Sequence, residues 1–245
     1  MIQSLLLDLD DTLLGNEVDV FMHRYFGLLS AYAGQIFDTT TFLPQLMQAT
    51  RAMIQDTNPA LTNDQVFWLA FEELTGGRRV ELEPFFQRFY ETEFGQLKSS
   101  TTLRPAAATL VQAAQDRGLA VVVATNPLFP LIAIEQRLEW AGLPVSEFDF
   151  TLVTSYENMH AAKPQPAYYR EILAAVGVEP GRALMVGDDW KNDIIPAAAV
   201  GLHTFWIAPD DATAADPALI SGRGSLDNLA ERVANGWLNQ LGASA

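Results

Sequence analysis

The run LLLDLDDTLL (residues 5–14) places Asp8, Asp10 and Asp11 at the mouth of an apolar segment. Charged side chains are rarely buried unless something pairs with them, so these acids either start a solvated turn or hold a cation. Three later apolar runs also end in reactive groups. VVVA is followed by Thr125-Asn126, FTLVTS by Glu157, His160 and Lys163-Pro164, and LMV by Gly187-Asp188-Asp189, with Asp193 four residues on. Two carboxylate clusters brought together would repel strongly unless a cation sat between them. An all-oxygen donor set suits Mg²⁺, which commonly takes one or two carboxylates and keeps places for water and phosphate. A hydroxyl, an amide and a lysine remain to hold the other oxygens of a phosphoryl group.

Phosphoryl chemistry on such a rim needs two carboxylates with different tasks. One attacks phosphorus in line and forms an aspartyl-phosphate. The other protonates the departing oxygen and later takes a proton from water. Residues two apart in an extended strand point the same way, so Asp8 and Asp10 share a face if the strand persists to Asp10, and Asp11 then points elsewhere.

These groups converge only if the elements carrying them do. Residues 2–9 read as a short buried strand. From about Glu17 to Leu97 the period is helical and rich in aromatics, with Asn58-Pro59 and Gly76-Gly77 as punctuation. After Arg104-Pro105 buried strands and helices alternate, as in a parallel sheet covered on both faces. Residues 209–224 read as loop, and Ser225 is placed to cap one last amphipathic helix to Leu241. The expected architecture is α/β: a Rossmann-like parallel sheet with helices on both faces and an α-helical cap inserted after the first strand. Residues 1–15 and 99–245 form the core and residues 16–98 the cap. Ligands of such sheets bind beyond the carboxyl ends of the strands, where all four polar clusters fall.

The chain has 245 residues, 49% of them hydrophobic and 18% charged, enough for a sizeable globular core. Cysteine is absent, which excludes disulfides and thiolate chemistry. No apolar run approaches the roughly 18 residues of a membrane span, and no basic segment precedes an apolar one at the amino terminus, so the expected location is cytoplasmic. The formal net charge of −15 repels nucleic acid and anionic lipid. An anionic ligand would need positive charge supplied locally, by a metal ion or placed basic residues. Nothing in the sequence indicates an oligomeric state.

In these motifs the sequence resembles the haloacid dehalogenase-like hydrolases. DLDDT matches that family's DxDxT motif, ATN its second motif, Lys163 before Pro164 its third, and GDDWKND its fourth, in order over residues 4–205. The helical insertion resembles the family's C1 cap. The resemblance implies Asp8 as nucleophile and Mg²⁺ ligand, and Asp10 as acid/base that also gives its main-chain carbonyl to the metal. It implies Thr125 and Asn126 at the phosphoryl group, Lys163 neutralising charge there, and Asp188 as the second carboxylate on the metal. For the supporting acid the fourth motif offers Asp193, which we favour because a helix begins there, and Asp189. Asp11 departs from the Gly most common at its position.

The implied activity is Mg²⁺-dependent hydrolysis of a small phosphorylated metabolite through an aspartyl-phosphate. Dehalogenation or phosphomutase chemistry on the same scaffold, or a non-catalytic binding role, are the alternatives. Dehalogenases of this family lack an Asp at the position of Asp10, so its presence favours phosphoryl transfer. The aromatic stripe that includes Phe67, Trp68, Phe71, Phe86 and Tyr90 reads as cap core. His23, Arg24, Arg51 and Arg78 are the cap's candidate substrate-reading cations. Trp190 reads as a wall of the site or a cover for a helix start.

Overall fold

The computed structural model describes residues 1–241. The chain opens with β1 (Ser4–Leu7), whose four residues are all buried, and turns into the two-residue β2 (Leu14–Gly15). Four helices follow: α1 (Val18–Ala33), α2 (Thr39–Gln55), α3 (Asn63–Thr75) and α4 (Arg79–Thr92). Their ends follow local chemistry. Asp38 accepts the Thr40 N–H at 2.7 Å ahead of α2, Thr62 and Gln65 form a capping box on α3, and Gly76 closes α3 in the left-handed conformation. A 3₁₀ segment, Phe94–Ser100, then leads back to β3 (Thr102–Leu103), which pairs antiparallel with β2 and ties the two ends of the insertion together.

The remainder alternates as the sequence implies. The elements are α5 (Pro105–Gln115), β4 (Ala120–Val123), α6 (Leu131–Trp140), β5 (Leu152–Val153), α7 (Pro166–Val176), β6 (Ala183–Gly187), α8 (Ile195–Val200), β7 (His203–Ile207), β8 (Gly222–Gly224), α9 (Leu226–Ala234) and α10 (Leu238–Leu241). Six strands form one sheet in the order β5-β4-β1-β6-β7-β8, every pair parallel. Leu5 and Leu7 pack on one face with Val121, Val123, Leu184, Val186 and Phe205. Leu6, Val122 and Met185 pack on the other against Tyr168, Tyr169 and Ile172 of α7. This strand-by-strand alternation explains why β1 is apolar throughout: both of its faces are covered.

Three local features differ from the sequence reading. Residues 209–224 are not all loop, because Gly222–Gly224 adds an edge strand that carries no apolar pattern. The last helix is interrupted at Asn235–Trp237, where Gly236 takes a positive φ of 82°. The segment before α8 is a π-helical turn, Trp190–Ile194, so helical geometry starts ahead of Asp193. Ser225 does cap α9, accepting the Asn228 N–H at 3.1 Å.

The chain runs from β1 outward to β4 and β5, then returns to the opposite side of β1 for β6. That reversal creates the crevice at which open α/β sheets bind ligands. In register, Leu7 lies beside Val123 and Val186, so Asp8, Ala124 and Gly187 leave the sheet side by side.

Candidate active site

Asp8 is the first residue past β1 and is buried together with Lys163 and Asp193. The Lys163 ammonium donates to Asp8 Oδ1 at 2.7 Å and to Asp193 Oδ1 at 2.6 Å, bridging residues from three different strand ends. One oxygen each from Asp8, Asp188 and Asp193 lie within 4.8 Å of one another. Both oxygens of Asp193 are engaged, Oδ2 accepting the Asp189 N–H at 3.1 Å. Asp188 Oδ1 accepts the Thr12 hydroxyl at 3.1 Å. Asp8 Oδ2 and Asp188 Oδ2 take no hydrogen bond from any other described residue.

The electrostatics follow from this crowding. Burial, opposed by Lys163 and reinforced by Asp193 and Asp10, raises the Asp8 carboxyl to about 7. Burial, with the charges of Asp8 and Asp11, raises Asp188 to about 7 as well. Burial raises Asp193 too, against the pull of Lys163. Burial alone would lower the Lys163 ammonium; Asp193 and Asp8 reverse this and hold it well above its ordinary value, so it stays charged. Three carboxylates facing one lysine leave two uncompensated negative charges, the charge of one divalent cation. The donor set is oxygen throughout, with one free oxygen on each of Asp8 and Asp188, and so fits a hard ion such as Mg²⁺.

The two acids of the fourth motif separate cleanly. Asp189 faces the helix start, its carboxylate accepting from Lys191 N at 2.8 Å, Asn192 N at 3.0 Å and Asn192 Nδ2 at 2.6 Å. Asp193, one helical turn on, reaches back to Lys163. Its approach requires Gly187, where a Cβ would lie 2.7 Å from Asp193 Cβ and closer still to the carboxylate.

Strand β1 stops at Leu7, so the shared-face argument for Asp8 and Asp10 does not apply. The chain turns at Leu9, whose carbonyl accepts Thr12 N and Leu14 N, and Asp11 takes φ +53°. This left-handed conformation is free to glycine and tolerated by Asp, which accounts for an Asp at a position where the family mostly has Gly. Asp11 pairs with the Arg104 guanidinium, away from Lys163. Asp10 is held instead by Arg137 of α6, whose Nη1 donates to its two oxygens at 2.9 and 2.6 Å, and by Asn16 Nδ2 at 3.0 Å. The sequence reading missed Arg137 and Asn16. A signal existed for Arg137: it falls in phase with Ala133, Ile134 and Ala141 on the apolar face of its helix, where a charge needs a partner.

Thr125 is buried beyond β4, its carbonyl accepting Thr154 Oγ1 and the Tyr168 hydroxyl, each at 2.8 Å. Neither Thr125 nor Asn126 caps α6. That end is met by Glu157, whose carboxylate oxygens both accept Leu131 N–H at 3.0 Å. Asn126 Oδ1 accepts Lys163 N at 3.2 Å and ties the second and third motifs together. His160 pairs with Glu171 and joins none of these contacts. Trp190 packs edge-on against Trp206, whose indole donates to the Asp188 carbonyl at 2.9 Å.

The family model of haloacid dehalogenase-like hydrolases matches residues 2–201. The chain belongs to the haloacid dehalogenase-like hydrolases. Within that family it is 29% identical over 233 residues to a phosphoserine phosphatase of Thermus thermophilus, covering 83% of this chain and 87% of that one. It is 30% identical over 132 residues to a phosphoglycolate phosphatase of Pectobacterium atrosepticum, 54% and 53% of the two chains. Among solved structures, a 2-haloacid dehalogenase from Pseudomonas syringae superposes with a TM-score of 0.59 at 19% identity, over 97% of this chain and all of that one. The fold is thus that of a haloacid dehalogenase-like enzyme, and at such identity the superposition speaks for fold alone. Among the described residues no helix is long and apolar enough to cross a membrane.

Proposed function

We propose that the chain is a Mg²⁺-dependent phosphatase acting on a small phosphorylated metabolite in the cytoplasm. The observation that carries this reading is the Lys163 bridge between Asp8 and Asp193, both with an oxygen within 4.8 Å of one on Asp188, and with Asp10 held separately by Arg137. It gives Asp8 a buried cationic partner and keeps Asp10, aimed by Arg137, off that lysine for the task of proton transfer. Residues 1–15 and 99–245 serve as the catalytic core and residues 16–98 as the cap.

Asp8 attacks phosphorus in line, and the bond from phosphorus to the alcohol oxygen breaks as Asp10 delivers its proton to that oxygen. Water then attacks the aspartyl-phosphate, Asp10 takes a proton from it, and the bond to Asp8 breaks to release inorganic phosphate. Lys163 neutralises charge on Asp8 and on the phosphoryl oxygens, and Thr125 and Asn126 donate to those oxygens. Asp8, Asp188 and the main-chain carbonyl of Asp10 would hold the metal, which would supply Lewis-acid neutralisation of the phosphoryl oxygens. Asp193 orients Lys163. Asp10 favours this reading over dehalogenation, because halide needs no proton to depart.

The test is turnover of p-nitrophenyl phosphate with Mg²⁺ by the wild type and by Asp8→Asn. Activity in the wild type and its loss in a folded Asp8→Asn support the reading. Undiminished turnover by Asp8→Asn would contradict it.

A further inference from the structure

Between the cap helices and the loop after β4 lies a cavity of about 210 Å³. All four helices α1–α4 contribute walls, and Leu128, Phe129, Pro130 and Tyr156 close it from the core side. Among the described residues that line it there is no Asp, Glu, Lys, Arg or His. Its polar groups are hydroxyls and one indole. Tyr25 and Tyr90 bond to each other at 2.9 Å, and Thr50 bonds back to the Leu46 carbonyl. The buried Trp68 Nε1 has no hydrogen-bond partner among the described residues.

The cavity adjoins the candidate active site through a continuous set of contacts. Leu128–Pro130 follow Thr125-Asn126 after one residue. The Phe129 ring lies 4.7 Å from the Arg137 guanidinium, the group that holds Asp10, and meets the Tyr25 ring at 5.1 Å. The acid assigned to protonate the departing oxygen is therefore joined to the cavity wall through Arg137.

Among the described residues no cation lines this space. His23, Arg24, Arg51 and Arg78 are exposed and line none of it. Arg79 lies over the Trp68 ring at 5.7 Å but is bonded to Asp64 and Glu83, and Arg137 is bonded to Asp10. A carboxylate or ammonium placed here would lose its hydration and find no counter-ion. An apolar cavity of about 150 Å³ with aliphatic and aromatic walls stays dry and accepts an aromatic ring.

We propose that this cavity is the leaving-group subsite, and that it selects phosphomonoesters of uncharged aromatic or branched apolar alcohols over those whose alcohol carries a charge. This rests on the phosphatase reading above and narrows its substrate class. The two named relatives act, by their names, on phosphoserine and phosphoglycolate, whose alcohols both bear charge, so this chain parts from them in substrate while sharing their fold.

The experiment compares kcat/KM, with Mg²⁺, for benzyl phosphate, phosphoserine and phosphoglycolate, all alkyl phosphates and so free of the bias of an activated aryl leaving group. The expected result is a kcat/KM for benzyl phosphate at least about tenfold above either other compound, the scale on which apolar pockets discriminate. Equal or better turnover of phosphoserine or phosphoglycolate would overturn this inference and leave the phosphatase reading standing. No turnover of any of the three, nor of p-nitrophenyl phosphate, would overturn both. Thr50→Arg, which puts a cation into the cavity, is expected to shift the benzyl to phosphoglycolate ratio at least about tenfold toward phosphoglycolate. An unchanged ratio in the folded variant would count against the subsite, and the wild-type comparison holds whether or not that variant folds.

Discussion

Arg137 and Asp10 lie 127 positions apart in the chain and are joined through one nitrogen, Nη1, which donates to both carboxylate oxygens at 2.9 and 2.6 Å. Arg137 is 1% exposed, and its Nη2 is buried with no hydrogen-bond partner among the described residues. The Asp10 carboxylate is therefore aimed by a helix of the core and not by the strand that precedes it. Arg137→Met should lower kcat on p-nitrophenyl phosphate by roughly 100-fold with little change in KM, because a misplaced catalytic group costs about that much. Loss of hydrogen bonds to a charged group should lower stability by about 1.5–3 kcal/mol. Arg137→Lys should recover part of kcat, which a merely structural role would not require; steady-state kinetics and thermal unfolding of the two variants check this.

Gly187 is fixed by what faces it. A methyl group there would press into the Asp193 side chain, with Cβ to Cβ at 2.7 Å. Gly187→Ala should displace Asp193 from Lys163, lower stability by about 1–3 kcal/mol as overpacking does, and abolish most activity. A variant with wild-type melting temperature and turnover would show that Asp193 has room the structure does not give it.

Asp193 and Asp189 should respond differently to the same change. Asp193→Asn removes one of the two carboxylates bonded to Lys163 and should cut kcat by about 10- to 100-fold, the usual cost of losing a group that orients a ligand. Asp189→Asn keeps a good N-cap and should leave stability within a few tenths of a kcal/mol and activity near wild type. Equal losses from both would contradict the division of labour seen here.

Asp8 and Asp188 hold their protons to about 7, against an ordinary 3.8 that applies in the unfolded chain. The folded metal-free protein therefore binds more protons than the unfolded chain between those values. The stability from these two acids is greatest at low pH and is lost as pH rises through about 4 to 7. Mg²⁺ needs the same acids ionised and must displace those protons, so its binding strengthens over the same window. The rise in melting temperature on adding Mg²⁺ should be larger at about pH 8 than at about pH 5.5. A flat or opposite trend would mean that these carboxylates do not hold the ion.

Much of this was legible from the sequence for a physical reason. A strand buried on both faces must be apolar, so the abrupt acids after Leu7 and Val186 mark where the sheet ends and the crevice begins. Lys163 and the acids Asp8, Asp188 and Asp193 then meet beyond the strand ends, with Asn126 bonded to Lys163 N. Other features were hidden because their cause is tertiary. Gly222–Gly224 has no apolar pattern and joins the sheet only because β7 offers it an edge. The helical phase of Arg137 called for a partner but could not name Asp10, 127 positions away, and Asn16 meets Asp10 only because the chain turns at Leu9. The choice between Asp189 and Asp193 depended on where the helix starts, which the π-turn at Trp190 moved ahead of the expected place.

The central claim is that Asp8 carries the phosphoryl group, and trapping that bond tests it most directly. The enzyme is quenched in acid during turnover of p-nitrophenyl phosphate with Mg²⁺, reduced with borohydride, and its peptides are read by mass spectrometry. An aspartyl-phosphate reduces to homoserine, expected at position 8 and absent when substrate is omitted. Homoserine at any other acid, or sustained turnover with position 8 always recovered as aspartate, would contradict the account.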